Sequence, residues 1–190
     1  LGDVYKRQLL APLFVRSQET PERECILIVS SYNPDTRRMS GFIAEFERNI
    51  LASGVPCDIY VETLECKSIN DAPIWMSQTE NMISRYENKG LRAIVLLGQE
   101  AWASFVSLGH IPKDVMCFCC YVSSNGIVLP PPEDSLGMWL PPSINYMNMT
   151  DSLNNVGGML NKYDVRRNIE LIRSLFPEAE NLSLIHISEP

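Results

Sequence analysis

Three short polar segments of this chain follow apolar, strand-like runs and carry side chains that form hydrogen bonds. They are Ser30-Ser31-Tyr32-Asn33, Gly98-Gln99-Glu100 and Ser123-Ser124-Asn125. Strand ends are often polar only because they leave the core, so each segment alone says little. Parallel sheets, however, bind ligands beyond the carboxyl ends of their strands. The joint position of the segments therefore predicts one small-molecule cleft, and its candidate residues are Ser31, Tyr32, Asn33, Gln99, Glu100 and Ser123.

The chemical class of the ligand stays open at this point. Backbone N–H groups at the starts of helices favour an anionic or hydrogen-bond-accepting group. Helices are expected directly after the first and third strands, which favours such a group. Glu100 points the other way, toward an amine or a sugar hydroxyl.

Motifs for catalysis and for tight cofactor binding are missing from the sequence. The chain has no G-x-S-x-G elbow, no G-x-x-x-x-G-K-[ST] loop and no G-x-G-x-x-G fingerprint. His110 follows a predicted helix, where a helix-terminal cation is a more common role than a general base. We therefore predict no catalytic residue and no cofactor.

The six cysteines do not form a metal-binding pattern. The one C-x-x-C spacing, Cys117 to Cys120, falls within a single apolar strand-like run, and structural zinc sites use four Cys or His ligands at regular spacing. Cys117, Cys119 and Cys120 lie in an apolar strand, where alternate side chains point to opposite faces. Cys117 and Cys119 should share one face, and Cys120 should lie on the other. We expect buried thiols and no metal, while a single disulfide stays open if the domain is exported.

Charge and hydropathy exclude two broad classes of partner. The chain carries 16 basic and 23 acidic residues, a net charge of −7, and contains no basic run. Binding to nucleic acid depends on Lys and Arg contacts with phosphates, so we expect no nucleic-acid partner. No run in the sequence approaches the roughly 20 apolar residues of a membrane span.

The elements that position the polar segments alternate between strand and helix. Apolar strands are predicted near residues 26–31, 58–64, 92–97 and 115–121, and amphipathic helices near 38–53, 72–89 and 99–108. Residues 123–152 are rich in Pro, Gly, Ser and Asn and predict a long loop or an ordered insertion. A fifth strand at 156–160 and a helix from Asp164 to the stop at Pro177 follow. This alternation predicts an α/β fold with a parallel sheet covered on both faces.

Both ends of the chain are expected to be foreign to the protein. One DNA string encodes the first eight residues, LGDVYKRQ, and its reverse complement encodes LSLIHISE, the sequence of residues 182–189. The string resembles the transposon end used in tagmentation libraries, so residues 1–8 and 182–190 are interpreted as translated adapter. Residues 9–24 resemble the remnant of a secretory signal peptide followed by a polar linker.

Three stretches of the sequence resemble a known family. ILIVSSYNPD, IVLLGQEAW and the closing pattern of Gly158, Asp164, Leu171 and Phe176-Pro177 are similar to the ABC-type substrate-binding-like sensor domain of bacterial hybrid two-component histidine kinases. The resemblance implies a type I periplasmic-binding-protein fold of two lobes, each with a Rossmann-like sheet. Residues 25–160 would form the first lobe, with strand order 2-1-3-4-5. Residues 161–181 would be the crossover and the first helix of the second lobe.

The same resemblance implies a function. The chain would be part of an extracytoplasmic small-molecule sensor, the periplasmic domain of an inner-membrane kinase whose catalytic region is absent here. The parent would be membrane-anchored, and a homodimer stays open. We find no match in the family for the Pro-rich stretch at 127–142. Gly157-Gly158 is interpreted as allowing the chain to cross from one lobe to the other.

Two other functions stay open. A soluble or lipid-anchored substrate-binding component of an ABC-type transporter would share the fold, and the downstream sequence would distinguish it from a sensor. A small flavodoxin-like enzyme is a more distant alternative and would need a bound cofactor.

Overall fold

The computed structural model describes residues 24–35, 37–68, 71–110, 112–129, 143–150, 153–178 and 181. Seven strands and five helices are formed there. In chain order they are β1 (Glu24–Ser30), α1 (Arg37–Ala52), β2 (Cys57–Thr63), α2 (Ala72–Glu87), β3 (Leu91–Leu97), α3 (Gln99–Ser107), β4 (Met116–Ser123), β5 (Asn125–Ile127), β6 (Ser143–Asn145), α4 (Tyr146–Thr150), β7 (Val156–Asn161) and α5 (Val165–Leu175). The two expected adapter segments and the signal remnant lie outside the described residues.

Five strands form one parallel sheet in the order β2-β1-β3-β4-β7. β1 and β3 occupy central positions because their continuous apolar runs can be buried on both faces. Leu27, Ile28 and Val29 of β1 are wholly buried. The predicted α/β class and strand order are confirmed, and the fifth strand of the sheet is β7 because two short strands intervene in the chain.

Helices cover the two faces of the sheet unequally. α2 and α3 lie over the larger core, which includes Trp75, Trp102, Cys117 and Cys119. α1 covers a smaller cluster on the other face, where Cys120 packs. The predicted division of the strand β4 thiols between the two faces is therefore confirmed. The sheet face under α1 is less completely covered, since Phe118 and Met159 remain exposed.

The insertion after β4 is partly ordered. β5 and β6 pair as a small antiparallel sheet, and α4 follows directly. Tyr146 anchors the insertion: its side chain is fully buried, and its hydroxyl donates to the Ile127 carbonyl at 2.7 Å and accepts from the Ile127 N–H at 3.1 Å. The sequence predicted a loop or insertion without these elements. Most of the Pro-rich stretch lies outside the described residues.

A register shift bends β4 near its carboxyl end. The shift falls between Cys119 and Val122, and Tyr121 has a positive φ of 59°. The extra residue allows both Cys119 and Val122 to face the larger core. Opposite Cys119, Gly158 of β7 has a φ of +139°, and a side chain there would overlap the Cys119 backbone. Gly158 thus allows close strand packing within the sheet, whereas a Cβ at Gly157 would lie 3.4 Å from the Phe118 ring.

The last helix differs from the others in its packing. Asp164 caps α5 by accepting a hydrogen bond from the Arg167 N–H at 3.0 Å, as predicted for this residue. The helix nevertheless buries none of its residues. Leu171, Leu175 and Phe176 are all more than half exposed. The apolar face of α5 is therefore available to another surface.

The described helices also bear on membrane insertion. None of those in the described ranges combines the length and the apolar character that crossing a bilayer requires.

Candidate functional site

The three polar segments meet at the carboxyl edge of the sheet. The Ser31 N–H donates to the Leu97 carbonyl at 2.8 Å, and the Gly98 N–H donates to the Cys120 carbonyl at 2.9 Å. These bonds hold the ends of β1, β3 and β4 side by side. We call this region the polar edge, defined by Ser31, Tyr32, Asn33, Gln99, Glu100 and Ser123.

Ser31 is the buried base of the polar edge. Its side chain is fully buried, and its hydroxyl oxygen accepts a hydrogen bond from the Ala101 N–H at 2.9 Å. Gly98 makes this contact possible: it has a φ of +100°, and a Cβ atom there would lie 2.5 Å from the Ser31 hydroxyl oxygen. One of the N–H groups at the start of α3 is therefore already hydrogen-bonded to Ser31.

Tyr32 and Glu100 form the pair that reaches the surface. The Tyr32 hydroxyl donates to Glu100 Oε1 at 2.7 Å, and both side chains are half-buried. Burial raises the pKa of Tyr32, and the hydrogen bond to the Glu100 carboxylate raises it further. The phenol therefore remains a neutral donor at ordinary pH.

Gln99 links α3 to the end of β4 and to the insertion. Its Oε1 atom accepts from the Ser123 N–H at 2.8 Å. Its side-chain amide also hydrogen-bonds the Tyr146 hydroxyl, and Gly126 leaves room for both groups. Gln99 and Ser123 are thus brought together, and the hydrogen bond between them connects α3 to the end of β4.

Asn33 shapes the turn after β1. Its Oδ1 atom accepts from the Asp35 N–H at 2.9 Å, and the residue is exposed. Next to it, the Ser30 hydroxyl donates to the Tyr32 carbonyl at 2.7 Å. These bonds fix the backbone that carries Tyr32. Among the described residues, the Asn33 side chain forms no hydrogen bond with the other residues of the polar edge.

Gly98, Tyr146 and Cys66 complete this region, although none of them was among the predicted site residues. Cys66 follows β2. Its N–H donates to the Ser31 carbonyl at 2.9 Å, and burial raises the pKa of its thiol. The G-Q-E sequence after a strand could have indicated Gly98. The positions of Tyr146 and Cys66 depend on distant packing and have no local signal.

A cavity of about 580 Å³ lies at the opposite edge of the sheet. Its lining comes from the end of α3, from α4 and from the segments that precede β4 and β7: Val106, Gly109, Lys113, Met149, Thr150, Leu153, Asn154 and Asn155. The Asn155 amide is already used, since its Nδ2 atom donates to the carbonyls of Pro112 and Val115. The Thr150 hydroxyl likewise donates to the Tyr146 carbonyl, so two of the four polar side chains that line the cavity are already bonded to backbone carbonyls. We therefore keep the polar edge as the candidate site.

Thiol and imidazole groups offer no reactive centre in the described part of the chain. All six cysteines are free, and burial raises the pKa of Cys119 to about 11 and of Cys117 to about 12. His110 is exposed at the end of α3, with Nδ1 lying 3.1 Å from the Leu108 carbonyl. No group of three or more His, Cys, Asp or Glu side chains within the described ranges could hold a metal ion.

Comparison with known proteins adds no relative. No protein-family model matches the chain, and neither a curated protein nor a solved structure matches it.

Proposed function

We propose that this chain is the first lobe of an extracytoplasmic small-molecule sensor domain, carried by a membrane-anchored two-component hybrid histidine kinase. The observation that carries the proposal is the polar edge at the carboxyl ends of three adjacent parallel strands. Ligands bind α/β sheets at this edge, where successive helices depart to opposite faces. Here α1 and α3, which follow the neighbouring strands β1 and β3, lie on opposite faces.

The last helix supports a second lobe. α5 follows β7 and presents an apolar face on which no side chain is fully buried and Leu171 and Leu175 are more than half exposed. An amphipathic helix obtains most of its stability from burying that face. A second sheet beyond α5 would cover it and would place the polar edge in a cleft between two lobes.

Two lobes also provide a signalling mechanism. A ligand held between them favours the closed arrangement over the open one, and the difference in affinity sets the change in population. A single lobe has no such equilibrium to shift. The isolated chain should therefore bind ligand weakly and should transmit no signal.

The test is to sequence the source DNA on both sides of the region that encodes residues 9–181. We expect the frame to continue through a second α/β lobe into an apolar stretch of about 20 residues and then into kinase motifs. A stop codon after the second lobe, beside transporter genes, would favour the substrate-binding component of a transporter. A frame that continues uninterrupted through LSLIHISE and then stops would contradict both the adapter interpretation and the two-lobed domain.

A further inference from the structure

We propose that the polar edge binds a positively charged nitrogen of its ligand, an ammonium group, through Glu100 and Tyr32. This inference rests on the proposed function, because it names the ligand class of the same site. Three features of the structure carry it: the occupied start of α3, the local balance of charge, and the geometry of the Tyr32–Glu100 pair.

The start of α3 is already occupied by groups that disfavour an anion. The Ser31 hydroxyl accepts the Ala101 N–H, which an anionic ligand would otherwise need. Glu100 lies in the first turn, where its carboxylate interacts favourably with the positive end of the helix. A second negative charge would be repelled by Glu100 and would find fewer donors. The anion-binding alternative is therefore disfavoured at this helix.

The described residues provide no ion pair for the negative charge of Glu100. Ion pairs between described residues join Arg48 to Glu45, Arg85 to Glu62 and Arg92 to Glu24, and none includes Glu100. The Glu100 carboxylate acts on the nearby Tyr32 and Cys66 side chains, and Asp71 acts on Cys66. Glu100 is half-buried, and burying a charge without a partner is costly, so a ligand cation would stabilise this carboxylate where no described cationic residue does.

The Tyr32–Glu100 pair has the geometry to accept such a cation. The Tyr32 hydroxyl donates a hydrogen bond to Glu100 Oε1, and this bond fixes the orientation of the carboxylate. The contacts of the described residues leave Oε2 without a hydrogen-bond partner. The half-buried ring of Tyr32 packs against the larger core, so its hydroxyl and Glu100 stay in place. Charge pairing at Oε2 favours an ammonium over a neutral hydroxyl, because two opposite full charges attract each other.

The experiment compares three probes that share a four-carbon chain: putrescine, butanediol and succinate. Each is titrated into the full chain and followed by saturation-transfer NMR, which detects weak binding. We expect putrescine to bind and the other two probes to bind far more weakly. Glu100→Gln should weaken putrescine binding by about tenfold or more, because it removes the charge from a charge-assisted hydrogen bond.

Matched variants keep the result interpretable. Glu80→Gln removes an exposed carboxylate from α2 and should leave putrescine binding unchanged. Glu100→Asp keeps the charge and should still bind, and circular dichroism establishes that each variant is folded. Preferential binding of succinate, equal putrescine binding by Glu100→Gln, or no putrescine binding at all would overturn the inference. The source-DNA test of the proposed function does not depend on any of these outcomes.

Discussion

Gly158 is the residue whose replacement should damage the sheet most directly. Its φ of +139° is strained for any L side chain, and an added Cβ would overlap the Cys119 backbone. We expect Gly158→Ala to lower the free energy of unfolding by about 2 kcal/mol or more. Urea denaturation followed by circular dichroism measures this change.

Gly41→Ala provides the control for the same substitution. Gly41 lies within α1, and a Cβ there would meet nothing within 4 Å. Because alanine is the better helix former, this variant should be more stable by up to about 1 kcal/mol. Equal effects of the two substitutions would show that β7 does not approach β4 as closely as described.

For single residues, the sequence predicts which side chains lie near one another better than it predicts which of them form hydrogen bonds. Ser31, Tyr32 and Glu100 follow strands that are adjacent in the sheet, so their proximity could be expected from strand order alone. The hydrogen bond that joins Tyr32 to Glu100 spans 68 positions and depends on two rotamers. Gln99 was expected to face a ligand, and its side-chain amide contacts Ser123 at the end of β4 and Tyr146 of the insertion. The position of Tyr146 is not encoded in any local pattern.

Among the elements, α5 offers a test of local rather than global stability. Asp164→Ala removes the acceptor for the Arg167 N–H and should cost about 1 kcal/mol of helix stability. Because α5 buries none of its residues, the loss should stay within the helix. Hydrogen exchange should therefore accelerate at the α5 amides, while the midpoint of urea unfolding stays unchanged.

Asp164→Asn is the matched variant, since asparagine caps helices about as well as aspartate. It should preserve the exchange rates of α5. A large shift of the urea midpoint in Asp164→Ala would mean that α5 packs on the sheet, contrary to the structure.

The elements were predictable where a single periodicity runs through them. The apolar runs of β1 and β3 and the helical spacing of Phe42, Phe46 and Ile50 in α1 depend only on local order. β5 and β6 are three residues each, too short for a periodic signal, and they pair across 15 intervening residues. The register shift in β4 also escaped prediction, because it depends on how β7 packs against Cys119.

For the molecule as a whole, buried thiols should limit stability in alkali. Burial raises the pKa of Cys119 from 9.0 to about 11 and that of Cys117 from 9.0 to about 12. The folded state therefore holds these protons more tightly than the unfolded state. Their stabilising contribution is complete below pH 9 and is lost as the pH rises through the folded pKa values. Urea denaturation between about pH 8 and 10.5 should show a falling free energy of unfolding.

Cys119→Ala separates this effect from other alkaline titrations. The variant loses one buried thiol, so its free energy of unfolding should fall less steeply with pH, although it starts lower because of the cavity. Tyr146 contributes at higher pH, since burial raises its pKa to about 12. A flat profile in the original chain across this range would show that the thiols are not buried as described.

The strand order also has a consequence for how the chain folds as it is synthesised. β1 leaves the ribosome first, yet it lies between β2 and β3, so it gains one neighbour after residue 63 and the second after residue 97. From then on the sheet grows in one direction only, by adding β4 and then β7. Among the described strands, none made early waits for a partner made at the end, which limits the time that the inner strands stay unpaired and open to aggregation. The insertion must be synthesised before β7 can pair with β4, and until then the outer edge of β4 stays open.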